Sequence, residues 1–153
     1  MNLCKKYDII RLVLKIFDAA MGLPPLSKLY YRTGLMKGVF GGKMTIEDLQ
    51  AFGANVREGL ERCLGDEDFY LEMVKMGIED ERFEAIEDLI RDGKTEEAFE
   101  AVHALKGIVS NLVLTPILEP LCELTELLRA KKSGDYVGLC QKIKSEREKL
   151  LSL

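Results

Sequence analysis

The chain has 153 residues, a formal net charge of −4 and 47% apolar side chains, enough for one domain with a proper core and too few for two comfortable ones. Residues 66–100 carry 14 acidic and 4 basic side chains, against 6 and 10 over residues 1–65. That acidic middle argues against nucleic acid as a partner, because phosphate binding needs a basic face. The cysteines, Cys4, Cys63, Cys122 and Cys140, include no CxxC pair, and only one histidine accompanies them, which argues against a zinc site.

Residues 7–21 read as an amphipathic helix whose polar side is narrow: Asp8, Arg11, Lys15 and Asp18 fall on a strip about 80° wide. These charges interrupt the apolar run, so neither a membrane span nor a signal peptide fits. The wide apolar face needs a cover. The rest of the chain, a second copy in a homodimer, or a longer parent protein would each serve. Pro24-Pro25 ends this helix. Residues 22–44 read as a connector. Gly42-Lys43 invites a phosphate-loop reading, but Lys37 and Met44 stand where that motif needs glycine and Ser or Thr.

From Thr45 the pattern becomes helical. Thr45 is a predicted N-cap with Glu47 and Asp48 in the first turn, and Leu49, Phe52, Val56, Leu60 and Cys63 continue as one stripe up to Gly65. Asp66 is the predicted cap of the next helix. Phe69, Met73 and Met76 lie on one of its sides and Leu71, Val74 and Ile78 on another, so it is sandwiched between neighbours. The charged run Glu79–Arg82 bends this helix before Phe83, Ile86, Leu89 and Ile90 resume the pattern. Asp92-Gly93-Lys94 forms a turn with Gly93 as terminator.

Thr95 is the predicted cap of the following helix, which carries the chain's single histidine. Ala98, Val102, Leu105, Val109 and Leu112 make one narrow apolar stripe along it. His103 lies about 140° from the centre of that stripe at 100° per residue. Gly107 and Ser110 lie beside it, with Lys106 between it and the stripe edge. Pro116 ends this helix near Leu114. The next helix becomes regular near Pro120, with Ile117, Leu121, Leu124 and Leu128 as its stripe. Asp135 caps the last helix, on which Tyr136, Val137, Cys140, Ile143 and Leu150 face inward. Cys63, Cys122 and Cys140 all fall at apolar helical positions and are expected as buried thiols of a reducing cytoplasm. No segment alternates at period two. The fold class is therefore all-α: an antiparallel up-down four-helix bundle over residues 45–153 with additional N-terminal helices, residues 1–44 standing outside it.

A lone histidine is ordinarily a bland surface or core residue. Its neighbours here make it a candidate phosphoryl acceptor. An exposed imidazole with an ordinary pKa of about 6.5 is largely neutral near pH 7. A lysine at i+3 offsets the charge of a transferred phosphoryl group. A glycine at i+4 keeps the surface low for a partner, and mid-helix glycine costs about 1 kcal/mol relative to alanine, so it needs a reason.

The run His103-Ala104-Leu105-Lys106-Gly107, followed by Asn111-Leu112, resembles the signature of histidine-containing phosphotransfer (HPt) domains of two-component phosphorelays. The resemblance extends over about residues 45–150. Upstream, Gly59-Leu60-Glu61-Arg62-Cys63-Leu64-Gly65-Asp66-Glu67-Asp68-Phe69-Tyr70 is similar to the segment leading into the family's first bundle helix. The resemblance implies that His103 accepts a phosphoryl group through Nε2. Lys106 steadies that group or orients a partner's acidic pocket, and Gly107 gives clearance. Asn111 helps hold the turn at the helix end, with Ser110 in support. It implies as partners the receiver domains of response regulators, or of a hybrid histidine kinase. Mg²⁺ would be held by the receiver, with no cofactor or ATP site on this chain and no membrane insertion. Three positions depart from the family pattern: Val113 stands where glycine is usual, Ile108-Val109 replaces a smaller pair, and Gly77 replaces a large apolar residue. Two other readings stay open. One is a non-catalytic adaptor that docks on receivers. The other is the phosphoacceptor domain of a chemotaxis-type kinase, which the Asn111-Leu112 tail fits less well.

Overall fold

Capping side chains and left-handed residues decide where each helix of this chain begins and ends. The computed structural model describes residues 44–153; the expected helix over 7–21 and all but the last residue of the connector lie outside them. The described residues form seven helices and no strand: α1 (Ile46–Phe52), α2 (Val56–Arg62), α3 (Glu67–Ile78), α4 (Arg82–Arg91), α5 (Thr95–Leu112), α6 (Thr115–Arg129) and α7 (Tyr136–Leu151). The all-α expectation holds for these residues. None of the helices is long and apolar enough to cross a membrane.

Thr45 caps α1 as expected. Its hydroxyl accepts from the Asp48 N–H while the Asp48 carboxylate accepts from the Thr45 N–H, a reciprocal capping box. The single helix expected up to Gly65 is broken. Gly53 takes a left-handed conformation (φ 99°) and ends α1, and Asn55 caps α2. The stripe of Leu49, Phe52, Val56, Leu60 and Cys63 keeps helical phase across the break, which is why periodicity hides it. Asp66 caps α3 by accepting from the Phe69 N–H at 3.1 Å. Asp135 caps α7 by accepting from the Gly138 N–H at 2.8 Å.

The charged run after α3 does more than bend the helix. Asp80 is buried and accepts from the Arg82 N–H and Nε–H, both at 2.9 Å, and from Nη2 at 2.7 Å. This local pairing takes over the backbone and starts α4 anew. Arg147 of α7, also buried, donates to the Ile78 carbonyl at 2.6 Å and to the Glu84 carboxylate, and stands over the Phe83 ring. One guanidinium therefore joins the end of α3, the start of α4 and the middle of α7. It holds a place on the inward stripe of α7 between Ile143 and Leu150. Val137, expected inward, is 58% exposed because it lies a full 100° step off the stripe of Tyr136, Cys140, Ile143, Arg147 and Leu150. Thr95 does not cap α5. It is the helix's first residue, Lys94 holds the cap position, and the Thr95 hydroxyl turns back to the Gly93 carbonyl. The helix α6 is regular from Thr115, earlier than expected. Pro116 occupies the first turn, where its missing N–H has no intrahelical partner to lose, and Pro120 is buried within the helix. Burial of Ile117, Leu121, Leu124 and Leu128 outweighs the single ladder bond lost at Pro120. Cys63 and Cys140 are buried, and burial pushes both thiols up to about 11. Cys122 is exposed, contrary to expectation, because α6 turns that side to solvent.

α5 lies against α6, α4, α3 and α2, and α7 lies against α6, α4, α3 and α1. The core runs along α5: Ala98, Val102, Leu105, Ile108 and Val109 are fully buried. Gly77 of α3 makes the close approach of α3 to α5 feasible, since a Cβ there would lie 2.4 Å from Leu112 Cδ1 and 3.1 Å from Ile108 Cγ2. Thus the bulk of Ile108 and Leu112 is met by the absence of a side chain opposite. Gly77→Val is expected to lower the unfolding free energy by about 1–3 kcal/mol through overpacking, read from urea midpoints. Burial pushes the Asp80 carboxyl up, but the hydrogen bonds and charge of Arg82 outweigh it and hold it below its ordinary value. A carboxylate with a depressed folded value adds stability above its unfolded pKa of about 3.9, and that stability fades as pH falls through the folded value. Asp80→Asn is therefore expected to lose stability at pH 7 and to show a flatter decline below pH 4 than the wild type in the same urea titrations.

Candidate functional site

The helix α5 holds its ends in different ways. At the C-terminal end, Val113 adopts a left-handed conformation (φ 56°, ψ 38°), the geometry a glycine would take there. For a β-branched residue this costs about 1–2 kcal/mol. Partners fix the turn in place: the Tyr70 hydroxyl donates to the Leu112 carbonyl at 2.8 Å, Arg62 Nη1 donates to the Ser110 carbonyl at 2.7 Å, and the Asn55 N–H donates to the Val113 carbonyl at 3.0 Å. Burial pushes the Tyr70 hydroxyl up to about 12, so it remains a donor across the physiological range. Gly59 of α2 gives the Tyr70 ring its room: a Cβ there would lie 2.4 Å from Cζ.

On the opposite side of α5 from the buried stripe, His103 is exposed, Lys106, Gly107 and Ser110 are half-buried, and Asn111 is exposed. All five expected site residues therefore stand on one helix, and the stripe of Ala98, Val102, Leu105, Val109 and Leu112 is buried as its period required. Among the described residues, Gly107 meets no atom within 4 Å of where its Cβ would be, in contrast to Gly77 and Gly59. Lys106 has no ion-pair partner among the described residues, so its ammonium is available to an incoming anion. Ser110 takes part through its backbone carbonyl, the acceptor of Arg62.

Two residues outside the expected set complete the geometry. The Phe99 ring stacks on the His103 imidazole, with centroids 5.6 Å apart and planes 13° apart. The Arg129 guanidinium of α6 lies over the same Phe99 ring at 6.0 Å. Phe99 precedes His103 by four residues, the spacing at which helix side chains meet; that spacing was available in the sequence as a signal. Arg129 was not, because only the packing of α6 on α5 brings it there. One turn further back, Lys131, just past the end of α6, pairs through Nζ with Glu96 of α5 at 2.6 Å.

Chemically, the arrangement offers an exposed imidazole stacked on Phe99, an ammonium one turn on with no ion-pair partner among the described residues, and a flat approach. Among the described residues no group of three or more His, Cys, Asp or Glu is placed to hold a metal ion. Neither a protein-family model, nor a curated protein, nor a solved structure matches the chain. Because the space beside Gly107 is open, Gly107→Ala is expected to raise the unfolding free energy by about 0.5–1 kcal/mol, the ordinary helix-propensity gain, measured by urea denaturation.

Proposed function

We propose that this chain is a histidine phosphotransfer protein of the HPt kind, a phosphoryl carrier that takes the group from a receiver-domain aspartate and passes it to another receiver in a two-component phosphorelay of the cytoplasm. The observation that carries the reading is an exposed His103 beside Gly107, a mid-helix glycine with empty space around its Cβ position. No packing among the described residues repays its cost, which supports a use for the low surface in what docks there from outside. The packing of α5 on α4 and α6, and of α7 on the same two helices, supports the four-helix bundle that this function uses to display one helix face.

In the proposed step, the lone pair of His103 Nε2 attacks phosphorus of the receiver's aspartyl phosphate. The P–N bond forms as the P–O bond to the aspartyl carboxyl group breaks, and the carboxylate leaves with the electron pair. The imidazole proton is carried on Nδ1, so that Nε2 is free to attack. Lys106 offsets the negative charge delivered to the helix surface. Such transfer is mostly positioning and charge stabilisation, with the receiver supplying the Mg²⁺. Ser110 and Asn111 border the docking face, and Asn111 lies next to the turn at Val113.

His103→Gln is expected to fold like the wild type and to take up no label from receiver domains charged with acetyl phosphate, scored across a panel of receivers. Equal labelling of the two proteins would overturn the reading. Stable receiver binding with no transfer to the wild type would make the chain a docking module.

A further inference from the structure

We infer that Phe99 is a positioning residue for His103, holding the imidazole plane so that its nucleophilic nitrogen is presented outward before a partner docks. This rests on the phosphotransfer reading above. An exposed histidine on a helix ordinarily samples several side-chain rotamers, and ordering them at the moment of reaction slows transfer. Among the described residues the imidazole has no hydrogen-bond partner, and it stacks on the Phe99 ring.

The type of contact matters. A carboxylate or carbonyl that oriented His103 would occupy a ring nitrogen. An aromatic face orients the ring without touching either one. The imidazole lone pair lies in the ring plane, so a stack with planes 13° apart confines attack to directions nearly parallel to the Phe99 ring. Stacking at this separation is also favourable in its own right, falling within the range of about 4.5–7 Å for ring pairs. Arg129 in turn stands over Phe99 from α6, within the range of about 6 Å for a cation over an aromatic face. The plane of His103 is thereby referred to the α5–α6 packing as well as to α5.

The test uses the full chain and three proteins: wild type, Phe99→Leu and Phe99→Tyr. Leucine keeps apolar bulk and removes the ring; tyrosine keeps the stack. The phosphodonor is the receiver domain that charges the wild type fastest. Phe99→Leu is expected to slow the maximal transfer rate by about tenfold or more, with the receiver concentration for half-maximal rate changed less than about twofold, the signature of lost orientation and not lost docking. Phe99→Tyr is expected to restore the rate to within about twofold of wild type. Proton NMR supplies a second readout. The His103 ring protons, shielded by the Phe99 ring current in the wild type, are expected to move downfield in Phe99→Leu and to stay in Phe99→Tyr. A Phe99→Leu protein that transfers within twofold of wild type, or whose His103 resonances do not move, overturns the inference while leaving the phosphotransfer reading intact. A wild type that takes up no phosphoryl group from any receiver overturns both.

Discussion

The carbonyl end of α5 is the joint on which the rest of the structure depends. An α-helix leaves its last four carbonyls without intrahelical donors, and here other segments reach two of them, Ser110 and Leu112, and the carbonyl of the cap residue Val113. The α1–α2 loop reaches Val113 through Asn55, α2 reaches Ser110 through Arg62, and α3 reaches Leu112 through Tyr70. The helix that carries His103 is thereby fixed against three neighbours at once. The Tyr70 hydroxyl bond is buried, and a buried bond of this kind is expensive to break because the orphaned groups cannot turn to water. The left-handed Val113 fits the same logic, since backbone strain persists where the surroundings over-determine the conformation.

The two glycines of α3 and α5 show how similar residues answer different demands. Gly77 is buried and gives its space to Leu112 and Ile108, so that helices α3 and α5 meet closely there. Gly107 gives its space to nothing among the described residues. It leaves a low spot beside an exposed imidazole and a lysine with no ion-pair partner among those residues. The valine at position 113, where a glycine would relax the backbone, and the glycine at position 107, where an alanine would fit, are both exceptions to local preference. The first is compensated by neighbours within the fold; the second has no compensating contact among the described residues.

Much of this was legible in the sequence, and the reasons for the misses are specific. The buried stripe of α5, the stop at Gly93, and the caps at Thr45, Asp66 and Asp135 follow from short-range rules, and they stand in the structure. The break at Gly53 was hidden because the apolar spacing keeps phase across it. The early regular start of α6 was hidden because burial overrides the ordinary cost of an internal proline. Arg147 on the inward face of α7 depends on what α3 and α4 offer across the interface, namely the Ile78 carbonyl and the Glu84 carboxylate, whereas Val137 falls off that face by helical phase alone. At the site itself, His103, Lys106 and Gly107 lie together on one helix and can be read from spacing alone. The stack of Phe99 on His103 needed rotamers, and the approach of Arg129 needed a tertiary contact.

The unequal ends of α5 have a consequence for motion. Its first turn has no side-chain cap, and the Lys131–Glu96 pair beside it is largely exposed, a kind of contact that contributes little. Its last turn is clamped by three donors. Local opening therefore begins at Thr95 and meets rising resistance toward Val113. His103 sits near the middle of that gradient, with Phe99 on its looser side and Lys106 and Gly107 on its firmer side. The half of the helix that carries Lys106 and Gly107 is thus the more firmly held half, a polarity that runs along the single helix α5.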